Sequence, residues 1–217
     1  MLAGIMKRPH EWNQLLPNFF TLLAGGEESY REKVIRDLIE AAIDRFSINE
    51  YTAFVENIAV SLASMPEEVR ASILKSNIIT PKGLPRNKAE MAREALSEAI
   101  RKNIVNSSKN RNKLIRIVFE SVLLMDDEDA EEVISGITNS TIKLGALDYV
   151  KYTYAWMNVL GSMDRESVKR LLELRADAFK GFDRKKIEER SALSMAAVLL
   201  ISAAKRKKIL DAMKSLE

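Results

Sequence analysis

Along almost the whole chain apolar residues recur at three- and four-residue spacing, and nowhere do they alternate with polar residues over a stretch closed by turn residues. Such spacing gathers apolar side chains on one face of an α-helix, whereas a half-buried strand needs a period of two. The expected fold is therefore all-α. Glycine and proline are few and concentrate in Ala24-Gly25-Gly26-Glu27, in Thr80-Pro81-Lys82-Gly83-Leu84-Pro85 and around Lys180-Gly181-Phe182-Asp183, where helices can stop and start.

One pattern recurs. An apolar helix ends, a polar and mostly acidic turn follows, and a second helix carries an adjacent apolar pair at a constant distance. The turns fall at Gly26, Met65, Met125, Met163 and Ile201, and the pairs at Val34-Ile35, Ile73-Leu74, Val133-Ile134, Leu171-Leu172 and Ile209-Leu210. Other columns keep the same register. Leu23, Leu62, Val122, Leu160 and Val198 lie three residues before the turn; Ile58, Val118 and Trp156 lie seven before it, and Phe54, Leu114 and Tyr152 eleven before it. The fifth unit departs, with Ser194 and Arg190 in the last two columns, as a capping repeat does.

Three of the four intervals between turns are 38 or 39 residues, and the one from Met65 to Met125 is 60. The excess falls between Ile78 and Asn110, where an extra helix from about Arg86 to Val105 presents Met91, Ala95 and Ala99 beside Ala92, Leu96 and Ile100. The chain thus reads as one helical domain of about five antiparallel helix pairs, over residues 12–46, 49–77, 110–138, 146–180 and 184–216, with an insertion at 78–109. A compact irregular helical bundle is the competing arrangement.

The first unit, Leu15-Leu16-Pro17-Asn18-Phe19-Phe20-Thr21-Leu22-Leu23 running on to Arg31 and Val34-Ile35, resembles HEAT and armadillo repeats. Arg31 and Arg70 match the basic position of the HEAT motif, while its turn aspartate is missing from most units. The resemblance implies a right-handed α-solenoid of stacked pairs, with one helix row lining each surface, and carries over no catalytic residue.

Several chemistries find no support. With no cysteine, the chain can form no disulfide, thiolate nucleophile or cysteine-ligated metal site. His10 is the only histidine, so a catalytic triad or a His-rich metal site would have to be built around one residue near the N-terminus. Gly25-Gly26 is no phosphate loop, because no strand precedes it. The run Asp126-Asp127-Glu128-Asp129 with Glu131-Glu132 lacks the alternating ligands of a calcium loop and reads as acidic residues at a helix N-terminus. No cofactor is expected.

The opening residues lack the order of a signal peptide, and the longest apolar stretch, Ala192–Ala204, falls short of the roughly 20 residues needed to span a membrane. A cytoplasmic protein with no membrane partner is the expectation. That stretch is apolar nearly all round yet belongs to the terminal unit, so a neighbouring helix or a second copy should cover it. A homodimer through the C-terminal unit is one expectation.

Lys and Arg number 34 against 31 Asp and Glu, a formal net charge of +3. In the second helices the seventh position after each turn reads Lys33, Ser72, Glu132, Arg170 and Lys208, with Arg36 and Lys75 three further on. This row is basic at both ends and acidic in its middle, unlike the unbroken cationic track of nucleic-acid binders. The tetrad Lys205-Arg206-Lys207-Lys208, with Lys33, Arg36 and Arg170, is the expected partner-binding set. A non-enzymatic scaffold binding another protein is the leading reading. Nucleic-acid binding through the basic ends and Lys109–Lys113 is the first alternative. A HEAT-like DNA-repair enzyme is the second, and it requires a carboxylate facing an aromatic-lined cationic cleft. Tyr149, Tyr152 and Trp156 share one helix face and read as core.

Overall fold

A computed structural model describes residues 2–107 and 111–215. The expected boundaries at 109/110 and at 216, and Lys109 and Asn110 of the basic segment, lie outside the described residues. Twelve α-helices and no strand occur among the described residues, so the chain is all-α. Two compact units divide it, at residues 1–99 and 100–217.

In the first unit α1 (Leu2–Lys7) precedes a short 3₁₀ turn, followed by α2 (Trp12–Leu23), α3 (Glu28–Arg45), α4 (Ile48–Ser61) and α5 (Glu67–Ile79). Helix α2 packs on α4, and α3 packs on α5. Each helix therefore meets the next but one along the chain. Leu16 and Phe20 of α2, Ile35, Leu38 and Ile39 of α3, and Phe54 of α4 are fully buried between them. The Trp12 indole N–H donates to the Ile5 carbonyl at 2.8 Å, which ties α1 to α2 and satisfies the one polar atom of a buried ring. Ser47 and Glu50 form a reciprocal capping box at the start of α4, satisfying two of the amides that a helix N-terminus leaves unpaired.

Helix α6 (Arg86–Ile100) continues through a π turn, Arg101–Val105, so the extra helix runs over the residues expected for it. Its alanine stripe, Ala92, Ala95 and Ala99 with Ala89, is buried, and Met91 and Leu96 are half-buried.

The second unit holds α7 (Arg111–Leu123), α8 (Asp127–Thr141), α9 (Ala146–Leu160), α10 (Arg165–Phe179), α11 (Arg184–Leu200) and α12 (Ala203–Lys214). Helix α9 lies between α7 and α11, and α10 between α8 and α12. The first apolar residue of each pair, Val133, Leu171 and Ile209, is sealed from solvent, as Ile73 is in the first unit. Val122, Leu160 and Val198, from the column three before the turn, are sealed as well. Phe119 and Trp156 meet edge to face at 4.8 Å, joining α7 to α9.

Candidate binding surfaces

The basic residues singled out by sequence divide into two groups. Lys33, Arg36 and Lys207 are exposed and hold no ion pair among the described residues. The others reach partners inside the fold. Arg170 of α10 donates to the carbonyls of Leu123 and Met125 at 3.3 and 3.0 Å and pairs with Asp127 at 3.0 Å. Lys208 of α12 donates to the Met163 carbonyl at 2.7 Å. Both occupy the seventh position after their own turn, and both reach the turn residue of the preceding unit, 45 positions back.

Helix-end carbonyls lack an intrahelical donor and carry the negative end of the dipole, so a cation is favoured there. Gly26 and Met65 are served differently. Arg31 bonds the Gly26 carbonyl at 3.5 Å and the Ser72 hydroxyl at 3.1 Å, and Arg70 bonds its own unit's Met65 carbonyl at 2.8 Å.

The tetrad at the start of α12 shows the same use of charge. Lys205 donates to the Asn158 side chain at 2.7 Å, and Arg206 to the Leu199 carbonyl at 3.3 Å. Four cations next to a helix N-terminus oppose its dipole, and three of them are turned onto oxygens of α9, α11 and the α9–α10 turn. Lys207 alone of the four points to solvent without a partner among the described residues.

Elsewhere Asp126 accepts from the Asp129 amide at 2.9 Å, as an N-cap of α8. Among the described residues no group of three or more His, Asp or Glu side chains could hold a metal ion. His10 is exposed beside Glu11 at 3.4 Å. No helix among the described residues is long and apolar enough to cross a membrane.

Helix α11 leaves an apolar face uncovered. Ala197 and Val198 face α9, while Met195, Leu199 and Leu200 are 43, 62 and 65% exposed, with Ala192 and Ala196 exposed between them. These residues share one side because they follow Ala192 by three, four, seven and eight positions. The helix does not run on to Ala204. It stops at Leu200, Ile201 is extended, and α12 begins anew at Ala203.

Two buried arginines were not legible as site residues. Arg190 stands in the column that holds Tyr152 in the preceding unit. It lies over the Tyr149 ring at 4.6 Å and donates to the carbonyls of Ile142 and Leu144 at 2.8 and 3.0 Å. Arg175 is 8% exposed, stacks over Trp156 at 4.4 Å and donates through Nη2 to the Tyr149 hydroxyl at 3.2 Å. Its position four residues after Leu171 and four before Phe179 was the available signal, since that spacing sets it on the buried side of α10.

Arg175 lines a water-sized cavity of about 10 Å³ with Ile134, Thr138, Tyr149, Tyr152, Trp156 and Phe179 among its walls. Burial pushes the Tyr152 hydroxyl up to about 12, with Tyr149 adding to the rise and Arg175 opposing it. The lining of this cavity is aromatic and cationic.

No family model, curated protein or solved structure matches the chain.

Proposed function

We propose that the chain is a non-enzymatic binding or scaffold protein, a stack of helix pairs whose α11 face receives an amphipathic helix of a partner protein. The observation that carries this reading is the run Ala192, Met195, Ala196, Leu199 and Leu200, apolar, contiguous and exposed on one helix. Single exposed apolar residues are ordinary on a protein surface, and clustered ones mark interaction sites. In this reading α9 receives α11 on the side opposite α7, and α11 offers the equivalent side to a helix from another molecule.

Charge favours a partner with acidic flanks. Glu188 and Glu189 of α11 are engaged by Arg184 and Lys186, whereas Lys185 and Lys207 carry no ion pair among the described residues. Area argues against a second copy as the occupant. The stripe covers about two turns of one helix, and a stable dimer buries roughly 800 Å² per partner.

The test compares the wild-type chain with Leu199→Glu in pull-downs from the native host, followed by reconstitution of the captured protein and a titration. The expected result is a partner that binds through an acidic amphipathic helix and is lost with Leu199→Glu. Retention of every captured protein by the variant overturns the reading. Light scattering that shows a dimer at tens of micromolar, dissolved by Leu199→Glu, replaces the partner with a second copy. Salt-dependent binding to DNA or RNA, measured by anisotropy, moves the function to nucleic acid.

A further inference from the structure

The fifth and seventh positions after each turn divide the serving of turn carbonyls between them. At Gly26, Met65 and Ile201 the fifth position is Arg31, Arg70 and Arg206. Each of these arginines stands on the second helix of its own unit and donates to a carbonyl of that unit, at Gly26, Met65 and Leu199. At Met125 and Met163 the fifth position is Ala130 and Val168, both sealed in the core. Their side chains have no donor to offer, and the seventh position of the following unit supplies one, as Arg170 and Lys208. The two arrangements are complementary. Ser72 and Glu132, the seventh positions of the units that follow Gly26 and Met65, carry no cation, and those two turns have an arginine of their own.

The arrangements differ in what happens when helices separate. Where a turn is served from its own second helix, a neighbouring helix can leave without taking the donor with it. Where the donor belongs to the next unit, undocking that unit strips the helix-end carbonyl of its partner and loosens the turn. In a stack whose members meet mainly their neighbours, opening starts at an end. Helix α12 is the last of the second unit, packed on α10 and α9. Its departure takes Lys208 from Met163 and Lys205 from Asn158. With that turn loosened α10 is held less firmly, and α10 carries Arg170, the donor to Leu123 and Met125.

We infer that α12 is a latch. Its docking orders the α9–α10 turn directly through Lys208, and the α7–α8 turn at one remove through Arg170. The Gly26 and Met65 turns, with donors of their own, take no part. Whatever holds or releases α12 is thereby felt at Met125. The latch rests on clamps inside the second unit and stands independently of the α11 face.

Native-state hydrogen exchange on the full chain reads this order. The probes are amides bonded at each turn: Met163 and Val168 between α9 and α10, Met125 and Ala130 between α7 and α8, and Met65 and Arg70 in the first unit. Lys208→Met should speed exchange about tenfold at Met163 and Val168, the loss of one charge-assisted hydrogen bond. At Met125 and Ala130 the gain should be about threefold, and Met65 and Arg70 should not respond. With Arg170→Met as the background, Lys208→Met should no longer reach Met125 and Ala130. Exchange at Met163 or at Met125 unchanged by Lys208→Met overturns the latch, and so does an equal response at Met125 once Arg170 is gone. The wild type gives a second test that depends on no variant folding. In rising urea α12 should open before the α9–α10 turn, and that turn before the α7–α8 turn; all three opening in one step overturns the proposal.

Discussion

Lys208 Nζ donates to the carbonyl oxygen of Met163 at 2.7 Å, and the two residues stand 45 positions apart. A lysine that looked like part of a partner-binding tetrad is thus a clamp between the second helix of one unit and the turn of the unit before it. Arg170 does the same for Met125. Substituting methionine keeps the aliphatic stem and removes the donor. Lys208→Met and Arg170→Met should each cost about 1–2 kcal/mol in urea unfolding. A loss near zero for both would mean that the turn carbonyls are satisfied by water alone.

Gly161 ends α9 where α12 comes closest. A Cβ built there would sit 2.6 Å from Lys205 Cβ and 3.2 Å from its Cα. The Lys205 backbone cannot swing aside as a side-chain tip can, so Gly161→Ala should destabilise by about 1–3 kcal/mol. Gly145 has open space around its added Cβ, and Gly145→Ala serves as the control, with a melting temperature close to wild type.

Ser47 holds Glu50 below its ordinary value of 4.5, through its backbone amide first and its hydroxyl second. A carboxylate depressed in the folded state adds stability above its unfolded pKa, and the contribution fades as pH falls through the folded value. Ser47→Ala should cost about 1 kcal/mol at neutral pH. Denaturation followed from pH 7 to pH 3 should show the gap between the two proteins narrowing on the acid side.

Tyr152 responds at the other end of the scale. Its hydroxyl is raised from 10 to about 12, mainly by burial, so the folded state favours the neutral phenol. That contribution is complete below the unfolded value and disappears as pH rises through the folded one. Tyr152→Phe should therefore lose less stability than the wild type between about pH 10 and pH 12, measured by urea unfolding at both limits.

Asp126 accepts an amide of its own helix, which accounts for the acidic run without a cation. Asp126→Ala should lower stability by about 1 kcal/mol. Millimolar calcium or magnesium should leave the wild-type melting temperature unchanged. A metal-dependent rise lost in the variant would give the run a different role.

Much of this chain was readable in one dimension because helix periodicity is local. Whether Leu160 or Val198 faces inward follows from its neighbours three and four positions away, and each proved buried. The turn expected at Ile201 is where α11 ends, whereas the π turn after Ile100 was less legible. The π turn leaves the apolar pattern almost unchanged.

Charge was the other illegible element. Arg175, Arg190, Arg170 and Lys208 look alike in sequence to any solvated cation, because a long side chain reaches atoms 26 to 48 positions away that no local window contains. From sequence came the all-α class, the turns and the buried columns, all set by contacts within a few residues. Tertiary structure alone decided which cations cap carbonyls, which arginines stack on Trp156 and Tyr149, and which face of α11 stays uncovered. Those outcomes depend on where distant helix ends meet, and burial and carbonyl dipoles act through space rather than along the chain.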